Sequence, residues 1–139
     1  MNPVDPARDL RRSARTWPGG PDRVQLREHQ PRPGLTVLEV TGEIDLSEAD
    51  AIRERFAALV GGERPPERVV LDLSGVGFLG SHGLTAIVRA SRAAREAGVR
   101  LSGVTGPENR AVIRPIRMTG LDLVVPWYAD LTGALAAET

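Results

Sequence analysis

Apolar positions recur with two spacings along this chain, and the changes between them mark its elements. Val24 and Leu26 alternate with Gln25 and Arg27, a period of two that predicts a strand starting near Arg23. Pro31-Arg-Pro-Gly34 then reads as a turn, and Leu35–Thr41 as a second strand, together an antiparallel hairpin with His29 in the loop at its end. Ser47 and Asp50 suggest an approximate capping box. Beyond them Ile52, Phe56, Leu59 and Val60 fall on one helical face, until Gly61-Gly62 and Pro65-Pro66 stop the helix. The run Val69-Val-Leu71 with Leu73 predicts a buried strand over Arg68–Leu73. A glycine-bearing loop over Ser74–Gly80 leads to a helix from Ser81, as N-cap, to about Ala97, with Leu84, Ile87 and Val88 at helical spacing. A strand over Val99–Val104 follows, then a short helix over Pro107–Arg114 with Val112, Ile113 and Ile116 inward. Pro115 is expected to kink or end that helix, or to begin a new segment. Thr119–Asp122 reads as a turn, Leu123–Val125 as the last strand and Ala129–Ala137 as the last helix.

The element order is therefore ββαβαβαβα. Strands that alternate with helices after an opening hairpin specify the α/β class, with a mixed, mostly parallel sheet layered by helices. The 139 residues suit one domain, over 22–139. Residues 1–21, rich in proline, glycine and arginine, are expected to be a flexible basic leader.

Charge and composition narrow the function. The 18 basic residues, all arginine, balance 18 acidic ones, which gives no reason to expect nucleic acid or an anionic membrane as partner. The chain has no cysteine, and His29 and His82 stand far apart, so neither a thiolate nor a histidine metal site is foreseen. No apolar run approaches the roughly 18 residues that cross a bilayer, and no signal-peptide core opens the chain, so a cytoplasmic protein is expected.

The turn at Ser81-His82-Gly83 is the most informative stretch. It faces the free N–H groups of a helix start, where negative charge is favoured. Ser81 beside His82 does not make a hydrolase. Neighbouring residues at a helix start point in different directions, Leu79 breaks the G-x-S-x-G elbow, and no later histidine follows. Gly75-Val-Gly-Phe-Leu-Gly80 spells G-x-G-x-x-G, but a lone match is weak. Val76, Phe78 and Leu79 suit a loop tucked under the sheet better than one cradling pyrophosphate. Glu43 and Asp45, paired carboxylates at strand spacing, read as a polar strand end. What remains is a small, polar tip with Thr85, Arg89 and Arg92 on the helix behind it, which reads equally as an ordinary solvated helix face or as a surface suited to protein docking.

Asp72-Leu-Ser-Gly-Val-Gly-Phe-Leu-Gly-Ser-His-Gly-Leu84 resembles the signature of STAS domains, the anti-sigma factor antagonist family. Gly42–Leu46 resembles the end of that family's second strand, and Thr119–Asp122 its late turn; the resemblance covers about residues 23 to 137. It implies a STAS-like fold and a non-enzymatic switch without cofactor. Such a protein binds an anti-sigma factor, often a serine kinase holding ATP, and frees a sigma factor until phosphorylation ends the interaction. A monomer or weak dimer is expected. The family's usual tip reads Asp-Ser-Ser-Gly or Asp-Ser-Thr-Gly, and its second hydroxyl takes the phosphate. Here that tip falls on Gly80, Ser81, His82 and Gly83, so His82 occupies the acceptor position and is not expected to be phosphorylated by a serine kinase; Ser81 is the other candidate acceptor. The partner-binding residues implied are Glu43, Asp45, Gly80, Ser81, His82, Gly83, Thr85 and Arg89. The alternatives are a STAS subunit of a lipid or anion transport system, or a STAS domain that binds a small ligand or nucleotide.

Overall fold

A computed structural model describes residues 15–17, as backbone, and residues 24–137. The predicted hairpin is present. Strand β2 (Val24–Arg32) pairs antiparallel with β3 (Leu35–Ile44) across a turn in which Gly34 takes a positive φ of 79°. Val24 and Leu26 are buried while Gln25 is exposed, as the alternation required. His29 is not in the loop: it lies within β2, paired with Val37. Of the leader expected over 1–21, the described residues are Arg15–Trp17. They form strand β1, paired antiparallel with β2; the rest of that expectation lies outside the described residues.

After β1 the order is the predicted one: α1 (Leu46–Val60), β4 (Arg68–Leu79), α2 (Ser81–Glu96), β5 (Arg100–Val104), α3 (Arg110–Thr119), β6 (Trp127–Tyr128) and α4 (Leu131–Ala136). The six strands stand in sequence order in one mixed sheet, with β3 to β6 parallel. One face buries Leu38, Val40, Val69, Leu71 and Leu73 under α1, α2 and α3, with Phe56 1% exposed. The opposite face carries Leu35, Val37, Val70 and Val104 under Ala134 of α4. Two arginines fasten α4: the buried Arg68 donates to the Ala134 carbonyl, and Arg32 to that of Leu135 at 3.3 Å. Cations at carbonyls near a helix C-terminus oppose its negative dipole end.

Several boundaries differ from the expected ones. The N-cap of α1 is Asp45, not Ser47, and the Glu48 side chain accepts the Asp45 N–H at 2.8 Å. The N-cap of α2 is Gly80, and Ser81 is its first helical residue. Strand β4 does not end at Leu73; it continues through the expected loop to Leu79 because β3 also continues and supplies a ladder, Thr41 to Gly75, Gly42 to Val76 and Ile44 to Leu79. Helix α3 runs past Pro115 to Thr119, held by buried Val112 and Ile116 on either side of the missing N–H, and ends on Gly120 at φ 75°. Leu123 and Val124 are not a strand. Leu123 is the last residue of a 3-10 turn (Leu121–Leu123) and Val124 follows it, both exposed, whereas Trp127–Tyr128 pair with β5, the Trp127 ring filling the space that a side chain at Gly103 would take.

Candidate functional site

Two neighbouring parallel strands end side by side, and each passes directly into a helix. β3 ends at Ile44 and Asp45 caps α1; β4 ends at Leu79 and Gly80 caps α2. The Gly80 N–H donates to the Ile44 carbonyl at 3.0 Å, which locks the two exits together. The result is a pair of helix N-termini abreast at the carboxyl edge of the sheet, both rich in outward N–H groups.

This arrangement brings together most of the residues the sequence singled out. His82 Nδ1 stands 3.6 Å from Asp45 Oδ1, both side chains half exposed, so one side chain from each helix start meets over the gap. Ser81 is exposed beside them; its carbonyl accepts the Thr85 hydroxyl at 3.1 Å. Glu43 is exposed on β3 and pairs with Phe78 of β4. Arg89 is exposed two turns down α2. Gly83 differs from the rest, because it is buried. A Cβ there would lie 2.6 Å from Leu79 Cδ1 and 2.8 Å from Ile44 Cγ2, so the bare backbone lets α2 settle onto both strand ends.

Below the tip, a groove of about 210 Å³ runs between α1 and α2. Its α1 wall is Leu46, Ala49, Asp50 and Arg53. Its α2 wall is His82, Thr85, Ala86 and Arg89. Each set is spaced i, i+3, i+4, i+7, so the groove is the seam between two matched helical stripes.

Three contributors escaped the sequence reading. Phe78, read as tucked away, is 47% exposed, whereas its neighbours Val76 and Leu79 are buried. With Leu46, 55% exposed, it gives the tip an apolar flank. The third is Asn109. Its amide crosses from the start of α3 to donate to the carbonyls of Leu73 at 3.2 Å and Val76 at 2.9 Å, holding β4 through its irregular stretch. Its place after Pro107, before an apolar helical run, was the available signal.

Among the described residues, His82 has Asp45 as its polar partner and makes no hydrogen bond to Ser81. Gly75 and Gly77 lie within β4, so the G-x-G-x-x-G letters do not form a loop of convergent N–H groups that could cradle a phosphate. No helix among the described residues is long and apolar enough to cross a membrane.

Known proteins of the same pattern point one way. The family model described as Mlab, STAS domain matches residues 29–126. The chain is 35% identical over 102 residues to the anti-sigma-F factor antagonist RsfB of Mycobacterium tuberculosis, a match covering 73% of this chain and 80% of the relative. Its structure is similar to the crystal structure of an anti-sigma factor antagonist from Mycobacterium paratuberculosis, with TM-score 0.73 and 34% identity over 86% of this chain and 97% of that one. An anti-sigma-factor antagonist (STAS) domain protein from Planctomyces limnophilus shares the fold, with TM-score 0.65 and 23% identity over 82% and 97% of the two chains.

Proposed function

This chain belongs to the STAS domain family, and from that premise we propose that it is an anti-sigma factor antagonist. It docks through the tip at Asp45, Ser81 and His82 onto an anti-sigma factor and frees the sigma factor that partner holds. The observation that carries this reading is the exposed pair of helix starts with an apolar flank, Leu46 and Phe78, on a chain 34% identical over most of its length to a structure bearing that name. Apolar side chains beside polar ones at a compact protrusion suit a protein interface, where a few well-placed residues supply most of the affinity.

The protein acts in the cytoplasm as a binding partner and catalyses nothing. Its anti-sigma factor is a serine kinase that carries the ATP. Because His82 stands at the family's acceptor position, the kinase does not mark that residue, and control by phosphate, where it operates, falls on Ser81. A phosphate on Ser81 would set about −2 charge at a helix N-terminus. That position tolerates it locally, so its effect would fall on docking and not on folding.

The test is a titration of the purified protein with the anti-sigma factor encoded in its own genome, followed by incubation with ATP and mass-spectrometric mapping. The expected outcome is a saturable complex, weakened about tenfold or more by Ser81→Glu (about 1.4 kcal/mol) with no loss of thermal stability, and no phosphate on His82. Absence of binding by the wild type would reject the antagonist reading, and phosphate on His82 would reject the assignment of that position.

A further inference from the structure

The groove between α1 and α2 has a charge that nothing in the described residues answers. Arg53 lies 3.6 Å from Asp50 on its own helix, and His82 faces Asp45 at the same distance. Arg89, the remaining cation of the groove, has no acidic partner among the described residues. The charge is local: the chain is neutral overall, while α2 carries Arg89, Arg92 and Arg95 and a single acidic residue, Glu96, at its far end.

The groove's shape is equally particular. Its floor is Ala49 and Ala86, each 5% exposed, and its upper lip is the exposed Leu46. Alanines in register on two packed helices leave a shallow channel into which a third helix can settle closely. Stripes spanning i to i+7 offer it about two turns, some 10 Å at 1.5 Å per residue. The channel opens directly onto the tip, so whatever docks at Asp45 and Ser81 continues into it.

We infer that this groove receives an amphipathic helix of the anti-sigma partner, apolar where it meets Leu46 and the alanine floor, and bearing an Asp or Glu that pairs with Arg89. The inference rests on the antagonist reading above and adds the chemistry of the partner's docking element. An arginine that is solvated in the free protein becomes partly desolvated against a carboxylate in the complex, where a charged pair contributes to both steering and selectivity. Helix-in-groove docking of this kind takes its specificity from anchors at i, i+3, i+4 and i+7.

The experiment measures affinity for the same purified anti-sigma factor at about 50 and 200 mM salt, a range over which screening lengths shorten, for the wild type, Arg89→Glu and Arg95→Glu. The two variants make the same charge change, but residue 95 lies outside the groove stripe. The inference expects Arg89→Glu to weaken binding tenfold or more and to flatten the salt dependence. Arg95→Glu should change affinity less than threefold, and reversal of one acidic helix residue in the partner should restore binding to Arg89→Glu. Equal effects of the two variants, or none from Arg89→Glu, overturn the inference and leave the antagonist reading standing. Failure of the wild type to bind removes both.

Discussion

Gly83 determines how closely α2 approaches the sheet. Its Cα packs where any side chain would strike Leu79 and Ile44, the last residues of the two strands that carry the tip. Gly83→Ala is therefore expected to cost about 1–3 kcal/mol, the usual penalty for overpacking a filled site, and to lower the thermal midpoint in a melting experiment. An unchanged midpoint would mean that the helix start has room to move. Legibility at this scale was uneven. Ser81 and His82 are legible as a polar tip because helix starts leave clear marks, whereas Asp45 reads only as a polar strand end and joins them through the resemblance to STAS domains. The sequence misassigned both caps by one or two residues, since Ser81 and Ser47 are good caps in isolation, and the true caps follow from where the strand ladder stops. The apolar neighbours of Phe78 suggest burial, but strand geometry turns it away from Leu79, and the register shift between Gly42 and Glu43 breaks the alternation that would put it on the face of Val76. Only the extension of β4 to Leu79 decides which of them faces out.

At the scale of elements, β4 is the strand the sequence under-read. Three glycines and a serine within Ser74–Gly80 look like a loop, and in isolation they would be one. The segment stays extended because β3 offers it a parallel partner beyond two register shifts and because Asn109 ties down the carbonyls of Leu73 and Val76. Asn109→Ala is expected to cost about 1–3 kcal/mol, the range for leaving partners of a lost hydrogen bond unsatisfied. Hydrogen exchange should rise along residues 73–79 ahead of the rest of the sheet. Uniform exchange across β4 in the variant would show that the ladder alone suffices. The last strand was missed for a related reason: Leu123-Val-Val125 is the more strand-like string, but Gly103 leaves room for the Trp127 ring, and that fit places β6 two residues further on.

For the molecule as a whole, the alternation of apolar runs was enough to read the α/β layout, because each strand buried on both faces and each one-sided helix leaves its own period. What the pattern could not carry was the pairing of distant parts: the fastening of α4 by Arg32 and Arg68, and the seam of matched stripes beside the tip. Such features depend on which helices lie side by side. The sheet in sequence order makes α1 and α2 neighbours, and so places two helix starts, an apolar flank and an open groove on one edge. Under the proposed function, this edge displaces a sigma factor from its inhibitor. The most direct measurement is release of a fluorescently labelled sigma factor from its complex with the anti-sigma factor as this protein is added. The expected result is saturable release by the wild type, with at least a tenfold higher concentration needed for Phe78→Ala, whose exposed site keeps the fold intact. Retention of the sigma factor at a large excess of folded wild-type protein would contradict the account.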